Sequence, residues 1–111
     1  MTISEIKTML AGIAGFENAV AFRAFPENET PALPFITFSD IDAYTFRADN
    51  VNYYTAPRYA VELHERTRNA ATELLVEAKL TSAGITFTRS VSYDTTARAW
   101  TVTYEFTTKG E

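Results

Sequence analysis

Residues 85–94 and 98–107, which read ITFTRSVSYD and RAWTVTYEFT, decide the fold. Apolar residues in each run share one parity: Ile85, Phe87, Val91 and Tyr93, then Trp100, Val102, Tyr104 and Phe106. Strict alternation of this kind predicts half-buried β-strands. Because only a polar turn, from Asp94 at the end of the first run to Ala97, separates the two alternating runs, we predict an antiparallel β-hairpin that closes the chain. A one-residue slip would turn every aromatic side chain to water, so we expect a firm register.

A helix is predicted immediately before this hairpin. Asn69 is a suitable N-cap, and Gly84 is a suitable stop. Between them, apolar residues recur at helical spacing and are expected to form the buried stripe of the helix: Ala71, Leu74, Leu75 and Ala78.

Residues 58–66, RYAVELHER, alternate as a strand with one buried and one wet face. Its buried face is expected to carry Tyr59, Val61 and Leu63. Residues 42–57 are harder to assign, because AYTFRA fits either an extension of the preceding strand or a separate strand. Asp49 and Asn50 indicate a turn, across which VNYYTA pairs back as a hairpin that Pro57 ends.

The N-terminal third predicts a helix, two strands and a loop. Thr2 and Glu5 form a capping-box pattern, followed by apolar residues that predict a helix over residues 3–13. Strands are predicted over 18–25, ended by Pro26, and over 35–41. The loop between them, residues 26–34, is acidic and contains proline: Pro26, Glu27, Glu29, Pro31 and Pro34.

These elements together predict an α+β fold. We expect one domain over residues 1–111, with a single antiparallel or mixed β-sheet, both helices packed on one face and the closing C-terminal hairpin. The other face of the sheet carries Thr, Ser, Glu and Arg, which suits either solvent or the sheet of a partner.

The composition excludes several classes of protein and function. The 111 residues are 46% hydrophobic, which excludes a disordered chain, and the formal net charge is −4. An acidic balance argues against binding DNA or a membrane surface through a basic footprint. No apolar run approaches the length of a membrane span, and there is no cysteine.

No residue pattern indicates catalysis, so we expect no enzyme, no cofactor and no metal. The run HERTR begins like a zinc-protease helix motif, but it lacks the second histidine and lies in a predicted strand. We therefore interpret His64, the single histidine, as a surface residue of the polar face. Neither a glycine-rich phosphate loop nor a nucleophile elbow is present.

Carboxylates cluster along the sequence in the first half of the chain: Glu27, Glu29, Asp40, Asp42 and Asp49. A catalytic pair or a metal site is conceivable, but their placement in turns beside proline favours a solvated acidic loop.

Tyr53 and Tyr54 are candidate interface residues, because aromatic residues on exposed strands are enriched in interfaces. Parity allows another interpretation, in which one ring points into the core and the other lies at an edge. Both interpretations stay open.

Several segments in this order resemble a family of small phage proteins. They are EIKTML (5–10), VAFRAFPENETPALPFITF (20–38), ADNVNYYTAPRYAVELHERTRN (48–69) and GITFTRSVSYDTTARAWTVTYEFT (84–107). The family is encoded among head–tail connection genes of long, non-contractile-tailed phages and is similar to tail terminator, or tail-to-head joining, proteins. Some members of the wider group are labelled only as minor capsid proteins.

The resemblance implies an α/β subunit that forms a ring, expected to be hexameric, at the head–tail junction. It implies contacts with the major tail tube protein and the head completion or connector protein, and a location in the virion after assembly in the host cytoplasm. DNA would pass through the ring without specific binding, which an acidic lumen favours.

On this hypothesis the loop 26–34 reaches a neighbouring subunit or lines the bore, because its prolines reduce the entropy lost on docking. The expected interface residues are Glu27, Glu29, Pro31, Asp49, Tyr53 and Tyr54. The expected lumen-facing acids are Glu27, Glu29, Asp40 and Asp42.

Two other functions remain open from the sequence. The first is a small non-enzymatic binding module that adds a partner strand at a sheet edge. The second is an enzyme subunit in which His64 acts with a nearby carboxylate; it predicts a loss of activity in His64→Ala, which we do not expect.

Overall fold

The computed structural model describes residues 2–25, 30–48 and 51–107, and it describes residues 42–48 and 51–57 by their backbone alone. The helices and strands of these residues are α1 (Ile3–Ala11), β1 (Val20–Phe22), β2 (Phe35–Ala48), β3 (Val51–Glu65), α2 (Ala70–Ser82), β4 (Phe87–Asp94) and β5 (Ala99–Thr107). Two helices on one mixed sheet confirm the predicted α+β fold.

The strands described form a five-stranded sheet in the order β1-β2-β3-β5-β4. β1 runs parallel to β2, and every other neighbouring pair is antiparallel. The sheet is therefore built from two hairpins, β2–β3 and β4–β5, joined where β3 pairs with β5.

The hydrophobic core lies between one face of this sheet and both helices. One cluster of buried hydrophobic side chains fills this space, and it includes Ile6, Leu10, Ile36, Phe38, Val61, Leu63, Val76, Leu80, Val102 and Tyr104. Members of the same strand in this cluster are two residues apart, as alternation requires. Neither of the helices described is long and apolar enough to cross a lipid bilayer.

The predicted capping box starts α1. The amide of Glu5 donates to Thr2 Oγ1 at 3.1 Å, and the amide of Thr2 donates to Glu5 Oε1 at 2.8 Å. These two bonds satisfy donors that a helix start otherwise leaves open. The helix ends at Ala11, two residues before the predicted end, and Ile13 remains in the core beyond it.

α2 has the predicted N-cap but a different buried face. Asn69 Oδ1 accepts from the amides of Ala71 and Thr72, and Gly84 follows the helix with φ +77°. The predicted stripe was wrong, because its four members are exposed: Ala71, Leu74, Leu75 and Ala78. The residues that face the core are Glu73, Val76 and Leu80.

Two strand ends differ from the prediction. β1 covers only 20–22, because Arg23 adopts a left-handed backbone (φ 67°) that ends the strand before Pro26. β3 does not end at Pro57 but runs through it. The pairing shifts there from Ile41–Arg58 to Tyr44–Ala56, and such a bulge tolerates a residue without an N–H.

The closing hairpin is present, but only β5 has the predicted alternation of buried and exposed residues; the prediction of a half-buried β4 was wrong, because no helix or strand covers Val91 and Tyr93 among the described residues. Val91 pairs with Val102 and Tyr93 with Trp100. Between the strands, Asp94 Oδ1 accepts from the amides of Thr96 and Ala97 at 2.8 and 3.1 Å, so its side chain holds the turn. β5 is the buried member of the pair, whereas β4 is an exposed edge strand.

Leucine-to-alanine substitutions at two positions of α2 test its buried face. Leu80 is fully buried and Leu74 is 63% exposed. We expect Leu80→Ala to lower the free energy of unfolding by about 2–5 kcal/mol, because it leaves a cavity. Leu74→Ala is the matched control and should change it by less than about 0.5 kcal/mol. Urea denaturation measures both, and equal losses would contradict this orientation.

Candidate assembly interface

The β2–β3 hairpin extends beyond the rest of the sheet as a two-stranded arm, residues 42–48 and 51–57. β1 pairs with β2 only as far as Phe38, and β5 pairs with β3 only as far as Arg58. Within the described residues, therefore, no third strand pairs with the arm. Seven residues of strand correspond to roughly 20 Å, and the chain measures 49 × 29 × 26 Å along its principal axes.

The backbone of the arm has an energetic consequence. An isolated two-stranded hairpin is only marginally stable in water. Each outer edge also carries N–H and C=O groups that the sheet does not pair, and such edges are templates for another strand. An arm of this kind is stabilised when a strand of a second chain pairs with one of its edges.

Some of the expected interface residues lie on this arm. Phe46 pairs with Tyr54 in its backbone ladder, and Tyr53 precedes Tyr54 on β3. Asp42 lies where the arm begins, opposite the bulge at Pro57. Glu27, Glu29 and Asp49 were also expected at the interface or the lumen, and they lie outside the described residues.

The other two expected residues lie in the body of the domain. Pro31 is half-buried. Asp40 accepts a hydrogen bond from Arg23 at 3.0 Å, and this bond holds the pKa of Asp40 below its usual value. Asp40 is thus an acid with a partner in its own chain. The structure therefore gathers the expected residues into no single described site.

The helix-free face of the sheet is polar, as predicted. Alternation places these residues on it: Phe35, Thr37, Ser39, Arg58, Ala60, Glu62, His64, Thr88, Ser90, Ser92, Thr101, Thr103 and Glu105. Arg58 and Glu105 form an ion pair at 3.0 Å across β3 and β5. In the described part of the chain, no helix covers this face.

His64 lies at the middle of three strands on this face. Its Nε2 is 2.9 Å from Thr37 Oγ1, and its Nδ1 is 3.2 Å from Thr101 Oγ1. The ring also stacks on Phe35, with centroids 4.9 Å apart. The prediction of a simple surface histidine was therefore wrong in degree, because the ring is half-buried and both nitrogens have hydroxyl partners.

Chemically, the surroundings of His64 favour a neutral imidazole. Burial lowers its pKa below the usual 6.5, and the negative charge of Glu62 opposes that shift. A shallow hollow of 290 Å³ beside the ring is lined by Arg23, Phe25, Thr37, Glu62 and their neighbours. The described residues contain no group of three His, Asp or Glu side chains that could hold a metal ion.

The edge of the sheet opposite β1 is β4, which pairs with β5 alone among the strands that the structure describes. Its side chains are exposed along nearly its whole length, including Val91 and Tyr93. Tyr93 packs against Trp100 with ring centroids 4.9 Å apart, and the guanidinium of Arg68 lies 5.8 Å from the Trp100 ring. Tyr, Trp and Arg are the residue types that dominate binding energy in interfaces.

A cluster of charged side chains lies between α2 and β4, and the sequence analysis missed it. Arg68 binds Glu73 through two nitrogens, each at 2.8 Å from a carboxylate oxygen. Arg89 reaches Glu73 at 3.5 Å and Glu77 at 3.1 Å. Tyr104 donates to Glu77 Oε2 at 2.9 Å.

The sequence did carry one signal of this cluster. Glu65 has the same parity as Tyr59, Val61 and Leu63, so alternation places a carboxyl group on the buried face of β3. The structure confirms that parity, since Glu65 is buried.

Comparison with known proteins gives no assignment. The sequence matches no protein-family model and no curated protein. The candidate surfaces described above and the sequence pattern are therefore the only basis for a functional proposal.

Proton titration tests the environment of His64, the single histidine of the chain. We expect the Cε1 proton resonance to titrate with a midpoint below 6.5, because burial disfavours the imidazolium. The folded chain then holds fewer protons than the unfolded one. The stability that His64 contributes is complete above pH 6.5 and is lost as the pH falls through the folded pKa.

His64→Gln is the control. Because this variant has no imidazole, the loss of stability attributed to His64 below pH 6.5 should be absent from its unfolding curves. A midpoint at or above 6.5 in the wild-type spectrum would contradict the buried, hydroxyl-bonded ring.

Proposed function

We propose that the chain is a structural protein that assembles through its β-arm into a ring at the head–tail junction of a long-tailed phage. In this function the ring caps the tail tube and joins it to the head connector. The observation that carries the proposal is the two-stranded arm, because residues 42–48 and 51–57 extend past every flanking strand described. The resemblance of the sequence to tail terminator proteins supplies the location.

Ring formation needs two different surfaces on each subunit. In a heterologous contact, one patch of a subunit binds a different patch of the next, and the series closes when the rotation allows. The arm and the β4 edge are two such surfaces on different parts of the sheet. Both have backbone groups that a strand of another chain can pair.

The charge of the chain supports passage of DNA through such a ring. With a net charge of −4, the subunit offers no general attraction to phosphate. Asp40 is a half-exposed carboxylate paired with Arg23, so the lack of attraction to phosphate follows from the net charge of the chain and not from Asp40 alone. The lumen-facing position of Glu27, Glu29, Asp40 and Asp42 stays a prediction.

The proposed partners are a second copy of the chain, the major tail tube protein and the head completion protein. The helix-free face is suited to one of these contacts, since its Thr and Ser hydroxyls can hydrogen-bond to a partner's polar surface. We propose neither a membrane nor a catalytic role, and no step of this function requires a cofactor.

Another function is favoured by one specific observation. β4 is an exposed edge strand of eight residues, so a monomeric module could bind a partner strand there without forming a ring. A different minor protein of the neck or capsid would also use the arm. Assembly state and particle structure separate these functions.

Replacing the arm tests its role in assembly. Residues 42–57 are replaced by Asn-Gly, a two-residue turn that suits the Ile41–Arg58 pair. We expect the wild-type chain to form rings, alone or on purified tail tubes, and the variant to stay monomeric with its circular dichroism spectrum otherwise retained. Light scattering after size exclusion and electron microscopy measure this.

The control changes the tip of the other hairpin, as Thr95→Asn with Thr96→Gly, and should assemble as the wild type does. If the armless variant still formed rings, the arm would not be the subunit contact. If the wild-type chain formed no rings, either alone or on purified tail tubes, the proposed ring function would be wrong.

Particles that lack the protein test the location. We expect tails of uncontrolled length, or heads and tails that do not join, because the ring both stops tube growth and offers a surface to the head. Electron microscopy of such particles, with the wild-type chain supplied in trans as the control, measures this. Normal joined particles would overturn the proposal.

A further inference from the structure

Two carboxyl groups are buried side by side where β3 ends and α2 begins. Glu65 is the last residue of β3 and is 2% exposed, and Glu73 lies in the first turn of α2 and is 4% exposed. Buried carboxylates are rare unless cations or hydrogen-bond donors surround them. The two groups differ sharply in what surrounds them.

Glu73 has a full set of cationic partners. Arg68 binds both of its oxygens at 2.8 Å, and Arg89 approaches Oε1 at 3.5 Å. A bidentate guanidinium stabilises a carboxylate strongly. Glu73 is therefore the ionised member of the pair.

Glu65 has only half of the partners that an ionised carboxylate needs. Its Oε2 accepts from the amide of Asn69 at 3.1 Å. Its Oε1 is buried, and no donor among the described residues reaches it. Leaving a buried charged oxygen without a donor is costly, whereas a proton on Glu65 turns that group into a donor for which Glu73 is the acceptor within reach.

The charges around the pair lead to the same assignment. Arg68 contacts Glu73 from the loop before α2, and Arg89 contacts it from β4. Arg89 also pairs with Glu77 of α2, which accepts a hydrogen bond from the Tyr104 hydroxyl of β5. Glu65, Glu73 and Glu77 together with Arg68 and Arg89 give a net charge of −1, and one added proton makes this partly exposed cluster neutral around its two buried carboxyl groups. Neutrality is the less costly state in a low-dielectric interior.

We propose that Glu65 and Glu73 share one proton in the folded chain, and that this shared proton fastens the start of α2 to the end of β3. Glu65 is the donor and Glu73 the acceptor. When the proton leaves, two carboxylates face each other in a buried site, so the junction between β3 and α2 loosens. This device goes beyond the proposed assembly function and stands independently of it.

The direction of the pH effect follows from the two states. Burial, and then the charge of Glu73, raises the pKa of Glu65 to about 7 from 4.5, so the folded chain holds a proton that the unfolded chain releases near 4.5. The stability that this proton supplies is complete below pH 4.5 and is lost as the pH rises to about 7. Arg68 lowers the pKa of Glu73, so that carboxylate supplies stability lost only in more acidic solution.

Glu65→Gln tests the proposal, because an amide donates to Glu73 at every pH. We compare the unfolding equilibrium constants of the wild type and Glu65→Gln in urea between pH 5 and 8.5. The ratio of wild-type to variant constants should rise by roughly tenfold per pH unit up to about pH 7 and then stay level. His64 acts in the opposite direction below pH 6.5 in both proteins, so its effect cancels in the ratio.

Glu62→Gln is the matched control, since Glu62 lies on the same strand but on the helix-free face. The ratio of wild-type to Glu62→Gln unfolding constants should not rise tenfold per pH unit, as the ratio for Glu65→Gln should. A ratio for Glu65→Gln that does not change with pH would overturn the shared proton.

A second measurement needs no variant to fold. In wild-type protein labelled with ¹³C, the side-chain carboxyl resonance of Glu65 should titrate near pH 7, and that of Glu73 below 4.5. A Glu65 midpoint near 4.5 would show that the buried group is ionised at neutral pH, and the proposal would then be wrong.

Discussion

Everything in this fold depends on the pairing of β3 with β5. Eight consecutive positions pair, from Arg58–Thr107 to Glu65–Trp100. This seam joins two local hairpins into one sheet, and it brings Val61 and Leu63 beside Tyr104 and Val102 at the centre of the core. It also places His64 opposite Thr101 on the other face. The register of β3 and β5 therefore determines which side chains are neighbours on both faces of the sheet.

The sequence predicted those features that depend on one element and its nearest neighbours. The capping box of Thr2 and Glu5, the N-cap at Asn69, the β4–β5 pairing and the alternation of β5 all have local causes, and the structure has them. Parity alone predicted which residues of β3 lie on the helix-free face of the sheet and which lie on the core face.

The buried stripe of α2 could not be predicted in the same way. Hydropathy favours Leu74 and Leu75, but the face that meets the sheet contains Glu73. A glutamate can be buried there only because Arg68 and Arg89 neutralise it, and Arg89 comes from β4. The sequence of the helix does not show these partners. Hydropathy within the helix therefore could not predict that the face containing Glu73 is the buried one.

The candidate site was predicted less completely, for a physical reason. Tyr53 and Tyr54 were selected as aromatic residues of a hairpin, but the arm is defined by where its neighbours stop pairing. That limit depends on β1 ending at Phe22 and on β5 pairing, within residues 99–107 that the structure describes, no further than Arg58. Pro57 lies at this limit, since a residue without an N–H is tolerated at the bulge where the wide sheet becomes a ribbon.

The two-hairpin construction also governs how the chain reaches its native state. Each hairpin closes a short loop, whereas the seam joins residues as far apart as Arg58 and Thr107. Loop-closure entropy for such distant contacts must be overcome before they contribute energy, and contacts of this kind slow folding. We therefore expect the two hairpins to form early and their docking across the seam, with α2 as the tether, to be the slower step.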